Sequence, residues 1–358
     1  MCKKKSVLLI LASLLSATCL GQSGSKKGKS PLDELPAHIR QVTHFGQRAD
    51  FSHDSKRILF IEKTFGDAYE VDLQTNIIRL LTGHYYHEGY VRALYLVNGD
   101  ILLAGARKFD ATDPVPSRKK YAELWVLKKD LLAPPIPLGE YCYEGPAVSR
   151  KNMRIAWTIG GTTPDAAFHM ADIVYEDGKP KLINKKRILA KPDLDIMKYD
   201  IETQNFRPPD EKELIFSAYG DQYKACEVAG LDIETGKVIN YSKAPQRYDE
   251  PEGIFPDGKY TLVECDKHNL KGTSNIDIYK LALDGSGRTE RLTFFADYPG
   301  YKSSNPVVSD DGRYMAFQYA KKGDWAGVGR GILIFDLEMY ESSPSEGRDE
   351  EMKKSQGK

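Results

Sequence analysis

The chain repeats itself, and this repeat limits the possible folds more than any other feature. An apolar strand, a polar turn, a second apolar strand, a loop and a third strand ending near Asp-Leu recur in that order. FSHDSKRILF, from Phe51, is answered by YEVDL at 69–73. IFPDGKYTLVE, from Ile254, is answered by IDIYKLAL at 276–283, and VVSDDGRYMAF, from Val307, by ILIFDL at 332–337. Weaker copies lie between: LYLVNGDILLAG (94–105) with ELWVL (123–127), AVSRKNMRIAWT (147–158) with ADIVYE (171–176), and NFRPPDEKELIFSA (205–218) with ACEVAGLDI (225–233). A fourth strand shows in IIRLLT (77–82) and RTERLT (288–293).

Six copies of about 48 residues with four short strands each are the signature of β-propeller blades. A single blade is too small to bury its own faces, and stacking blades around an axis buries them. The Asn-Gly and Asp-Gly pairs at 98–99, 257–258 and 311–312 supply the turns of tight hairpins. The sixth copy stops after its third strand, at Leu337, and IRQVT (39–43) looks like the missing fourth strand. The expectation is an all-β, six-bladed propeller over 39–340, closed by its N-terminal strand. Seven blades are the alternative, because strands in the middle copies are hard to count.

The Ser-x-Asp-Gly turn, the Asp-Leu strand and the Leu-Thr close resemble the TolB-type, WD40-like propeller repeat, over the whole repeat region. That resemblance implies the fold and is nearly silent on activity, because propellers host many functions. Related propellers occur in TolB, in prolyl-oligopeptidase-type enzymes and in some polysaccharide lyases.

The start of the chain reads as an address. Lys3, Lys4 and Lys5 precede the apolar run SVLLILASLLSA (6–17), and small residues follow. This is the pattern of a secretory signal peptide, too short to span a membrane. Cleavage after Gly21 is preferred over lipidation at Cys19, because Ser16 and Thr18 are poor lipobox residues. The expected location is the periplasm or envelope of a Gram-negative bacterium, with a lipid anchor at Cys19 as the alternative. Residues 22–38 read as a linker and 341–358 as a disordered tail. Cys142, Cys226 and Cys265 are an odd number and read as small buried hydrophobes.

With 51 Lys and Arg against 51 Asp and Glu, the 358-residue chain carries no net charge. It therefore lacks the electrostatic footprint of a non-specific nucleic-acid binder. No Gly-x-Ser-x-Gly elbow, P-loop, Cys-x-x-Cys or His-Glu-x-x-His occurs. A propeller peptidase and a nucleotide-phosphate site are not indicated.

In an antiparallel blade, the loops entering the innermost strand and those between the second and third strands share one face, here called the top. Counting back about six residues from each turn selects Arg48, Arg92, Glu144, Gln204, Glu252 and Asn305. These predict a polar ring at the channel mouth. His44, His84 and His87 fall in loops entering innermost strands, and His169 and His268 in loops between second and third strands. Imidazoles beside carboxylates suit zinc, manganese or a similar ion, so His84, His87 and His268 are candidate ligands for a divalent metal (Mn, Zn or Ca). Long loops at 108–122, 160–170, 266–275 and 321–331 could wall such a site. Tyr85, Tyr86, Tyr90, Tyr219, Tyr301 and Trp325 are expected near this face, where aromatics suit a carbohydrate or peptide ligand.

Two functions follow. The first is an exported, monomeric, non-catalytic propeller binding an envelope protein, peptide or oligosaccharide through the ring. The second is a metal-assisted polysaccharide lyase or glycan hydrolase. There the histidines hold the metal, Arg92 grips a substrate carboxylate, and Glu252 or Glu144 moves protons.

Overall fold

The computed structural model describes residues 26–324 and 327–342. The expected signal sequence with its expected cleavage after Gly21, together with Cys19, Trp325 and most of the tail, lies outside them. Strand β1 (Ile39–Gln41) comes first. Blade 1 is β2 (Gln47–Phe51), β3 (Arg57–Ile61), β4 (Ala68–Asp72) and β5 (Ile78–Leu80). Blade 2 is β6 (Arg92–Tyr95), β7 (Ile101–Ala106), β8 (Ala122–Leu127) and β9 (Ile136–Tyr141), with helix α1 (Pro114–Lys119) between its second and third strands. Blade 3 is β10 (Tyr143–Val148), β11 (Arg154–Ile159), β12 (Ala167–Glu176) and β13 (Lys179–Ala190). Blade 4 is β14 (Asp200–Phe206), β15 (Glu213–Tyr219), β16 (Cys226–Asp232) and β17 (Val238–Asn240). Blade 5 is β18 (Asp249–Ile254), β19 (Tyr260–Cys265), β20 (Asp277–Ala282) and β21 (Thr289–Arg291). Blade 6 is β22 (Tyr301–Val308), β23 (Tyr314–Lys321) and β24 (Ile332–Asp336), followed by helix α2 (Leu337–Ser342).

Each blade is a four-stranded antiparallel sheet, and the innermost strands touch one another in cyclic order. The protein is a six-bladed propeller. The ring closes as the sequence predicts: β1 lies antiparallel to β24, with Ile39 opposite Phe335 and Gln41 opposite Leu333. The residues before it are more than a linker. Ser30 caps a 3-10 turn at Pro31–Glu34, and Leu32 and Leu35 pack against the core between blades 5 and 6.

The repeated words have separate physical duties. In the Ser-x-Asp turn, the Ser52 hydroxyl donates to Asp54 at 2.5 Å and accepts from Arg57 N; Ser309, Asp311 and Tyr314 repeat this. In the next turn the Asp72 carboxylate accepts from the amides of Gln74 and Thr75, and Asp232 does the same for Glu234 and Thr235. The hydroxyl that follows the fourth strand accepts an N–H within the first three residues of the third strand. Thr82 takes Ala68 N, Thr293 takes Ile278 N, Thr43 takes Ile332 N and Ser242 takes Val228 N, at 2.8–3.0 Å.

The core is divided among the blade interfaces. Six main apolar clusters each join two neighbouring blades: Leu59 with Leu103, Leu102 with Trp157, Phe168 with Phe216, Val228 with Val263, Ile278 with Phe317, and Phe60 with Ile334. Burying such side chains contributes about 1.5–3 kcal/mol each. Closure of the ring therefore completes the sixth interface. Cys142, Cys226 and Cys265 are buried free thiols, as expected. The sequence reading missed the length of blade 3, where β12 and β13 run on as a long hairpin edged with lysines. Charged edges of this kind discourage pairing with other chains.

Candidate functional site

The innermost strands are bent where the ring residues sit. Strand pairing slips between Gln47 and Asp50 in β2, Tyr143 and Ala147 in β10, Thr203 and Asn205 in β14, Pro251 and Gly253 in β18, and Ser304 and Val307 in β22. Arg48, Glu144, Gln204, Glu252 and Asn305 lie within those five slips. Arg48, Glu144 and Asn305 have φ of 53°, 60° and 47°, a region costly for side-chain-bearing residues. A bulge re-aims a side chain that regular pleating would send elsewhere. Arg92 differs: it opens β6 in regular register opposite Ala104.

The ring does not face water at the channel mouth, as expected, but lies deep in the channel. Arg48 is 6 % exposed, Glu144 5 % and Glu252 8 %. Above it, toward the top face, opens a cavity of about 360 Å³ lined by Arg48, Arg92, Glu144, Glu252 and Asn305. Below lies a second cavity of about 330 Å³, which Gln204 lines. Arg92 and Glu252 border both. Gly145 makes room for Arg92, since a Cβ there would approach Arg92 Nε to 2.7 Å.

The upper cavity is split by charge. On one side stand Arg48, Arg92, and Arg118 and Lys119 from α1. Glu144 is their counterion. Arg118 donates to it through Nε at 2.7 Å, Lys119 Nζ lies 3.5 Å away and Arg48 Nη2 3.8 Å away. Burial opposes ionisation of Glu144, but Arg118, Arg48 and Lys119 outweigh it and hold the group down at about 2. Burial lowers Arg48 to about 10, and Arg92 and Arg118 push the same way. Its Nε and Nη1 are buried with no hydrogen-bond partner.

The other side is acidic. Glu202 comes from β14, Glu250 and Glu252 from β18, and Glu264 from β19. Glu250 and Glu264 are direct cross-strand partners, a placement that costs energy for like charges. Oxygens of Glu250, Glu252 and Glu264 all lie within 4.8 Å of one another. Arg92 stands 3.9 Å from Glu252 and 4.0 Å from Glu202. Tyr219 and Tyr248 donate to Glu250, Asn305 N donates to Glu264 at 2.7 Å, and Asn305 Nδ2 to Glu252 at 2.8 Å. Burial and neighbouring carboxylates push Glu202 and Glu264 well up and raise Glu250 to about 7. At the rim, Tyr143 and Tyr223 both donate to Asp200, and Lys119 Nζ lies 3.1 Å from each hydroxyl.

One side chain spans the lower end. Arg150, at the β10–β11 turn, crosses to the opposite side of the ring. Its Nε donates to Asp310 of blade 6 at 2.8 Å, and its Nη2 donates to Phe51 O of blade 1 at 2.8 Å. Its own amide is held by Glu211 of blade 4.

The candidate metal ligands do not converge. His87 accepts from Gly89 N through Nδ1 and faces Asp67 through Nε2 at 2.9 Å, so both ring nitrogens are engaged. His84 is exposed and edge-on to Tyr85. His268 belongs to blade 5, with Nδ1 3.2 Å from the Tyr279 hydroxyl and Nε2 3.4 Å from Asn275. Among the described residues no histidine joins a cluster of three metal-ligating groups. This set does not fit a metal. His169 lies within β12 rather than in a loop. Of the aromatics, Tyr219 reaches the cavity, while Tyr85 and Tyr90 bond to each other.

The sequence reading did not select Arg118, Lys119, Asp200, Glu202, Glu250 or Glu264. Asp200, Glu202, Glu250 and Glu252 alternate along their strands, and that period of two was the available signal.

No protein-family model matches the sequence, and no curated protein does so. Solved structures match the chain over most of its length at low identity. TolB from Acinetobacter baumannii is 16 % identical over 82 % of this chain and 67 % of that one, with a TM-score of 0.43. Hydrazine synthase from Kuenenia stuttgartiensis is 16 % identical over 86 % and 83 %, with a TM-score of 0.49. Oligogalacturonate lyase from Vibrio parahaemolyticus is 13 % identical over 84 % and 93 %, with a TM-score of 0.44. These likenesses concern fold. Among the described residues no helix is long and apolar enough to cross a membrane.

Proposed function

We propose that the protein is an exported binding propeller of the cell envelope, whose upper cavity receives the anionic group of a peptide or oligosaccharide. One observation carries this reading: the guanidinium of Arg48 is buried at the wall of the cavity and has two donors without partners. Leaving buried donors unpaired costs about 1–3 kcal/mol. A carboxylate matches a guanidinium's paired donors. Arg92, Arg118 and Lys119 reinforce the same preference, and the tyrosines at the rim suit a ligand that is partly apolar. The binding reading is preferred over a metal-assisted lyase because the histidines do not gather.

The test compares the wild-type protein with Arg48→Met in calorimetry against short peptides and oligogalacturonates. The variant should lose at least tenfold in affinity for whichever probe binds the parent. It should also melt no lower than the parent, because Glu144 keeps Arg118 and Lys119 as partners. Unchanged affinity would remove the proposed site.

A further inference from the structure

We infer that the ligand of the upper cavity is a zwitterion of short-peptide size, with its carboxylate at Arg48 and its protonated amine among Glu202, Glu250, Glu252 and Glu264. This inference rests on the binding reading above and adds the second charge.

The acidic side is under-compensated. Four glutamates project into one side of the cavity, and Arg92 is shared between Glu202 and Glu252 at 3.9–4.0 Å. Among the described residues, neither Glu250 nor Glu264 has a salt-bridge partner, although the two face each other across β18 and β19. Their hydrogen-bond donors are two tyrosine hydroxyls and a main-chain amide, which orient a carboxylate without opposing its charge. Lys302 at the cavity wall acts on Glu264 through space but forms no salt bridge with it. An ammonium has three donors and is small enough to sit between several carboxylates.

The orphaned donors of Arg48 provide an independent sign of a ligand in the same cavity, at its opposite side. A molecule that satisfies both sides must carry both charges. The volume of about 360 Å³ sits at the small end of ligand pockets and suits a peptide of roughly two or three residues.

The experiment uses the full mature protein, freed of metal by chelation. A panel of dipeptides and tripeptides is titrated in three forms: both ends free, N-acetylated, and C-amidated. The free form should bind best, and each modification should cost at least tenfold. In the Glu250→Gln/Glu264→Gln variant, acetylation should no longer matter, while amidation still should. If the acetylated form binds as tightly as the free form, the inference fails and the anionic reading survives. If the amidated form binds as tightly, the anionic reading fails. If no member of the panel binds, or if manganese or calcium ions alone stabilise the parent but not the double variant, the acidic side is not an amine site and the inference is overturned.

Discussion

Glu250 shows how much chemistry one side chain can hold in this fold. The tyrosine hydroxyls of two strands favour its anion, but burial and the neighbouring Glu252 and Glu144 win, and it titrates at about 7 instead of 4.5. Between about pH 4.5 and 7 the folded chain keeps a proton that the unfolded chain has lost. Stability therefore falls as pH rises through that window. Glu144 works in the opposite direction. Its folded value of about 2 means its contribution is complete above 4.5 and is lost as pH falls toward 2. Urea denaturation at a series of pH values should show the upper decline in the parent. Glu250→Gln should flatten it, because the amide oxygen still accepts from one tyrosine hydroxyl, its NH2 donates to the other, and it carries no titrating group. An unchanged slope would move the proton to Glu202 or Glu264.

At the level of the element, the hydroxyl that closes four of the six repeats, from Thr43, Thr82, Ser242 or Thr293, is the most informative letter. It covers an N–H near the start of the neighbouring strand, which pairing within the sheet leaves open. Thr82→Val keeps the shape but removes the acceptor, stranding Ala68 N and the hydroxyl's bond to Asp67. The cost should be about 1–2 kcal/mol, seen as a melting temperature lower by roughly 2–8 °C. Thr82→Ser should restore most of it. Such letters made the blades legible in sequence, because turns and caps are local and repeat with the strand pattern. The ring residues were legible for the same reason: Arg48, Glu144, Gln204, Glu252 and Asn305 keep a near-constant distance from their turns, and the bulge sits at that distance. Arg118 and Lys119 were not legible. They reach the cavity from a helix inside a long loop, and no period fixes where such a loop lands. The histidines misled for a related reason. Sharing a face did not bring His84 and His87 of one loop near His268 of blade 5, because a ring of blades keeps its loops apart around a circumference.

For the molecule as a whole, the energy is distributed around a ring, and few groups cross it. Arg92 reaches toward Glu252 of the opposite blade, and Arg150 ties blade 3 to blades 6 and 1 while its amide is held by blade 4. Arg150→Met should lower stability by about 2 kcal/mol, since it removes three side-chain hydrogen bonds, to Asp310, Asp50 and Phe51 O, and leaves Asp310 with His53 alone. The urea midpoint should fall accordingly, without a change in the strand content seen by circular dichroism. A midpoint equal to the parent's would show that the crossing contacts are idle.

The clasp that Arg150 makes also bears on how the ring comes undone. Its guanidinium holds Asp310 of blade 6 and Phe51 O of blade 1, the two blades that meet where the chain's ends are joined by strand pairing alone. If β1 peels away from β24, those blades stay tied through the axis, so the loss of that one strand pair does not by itself unroll the molecule.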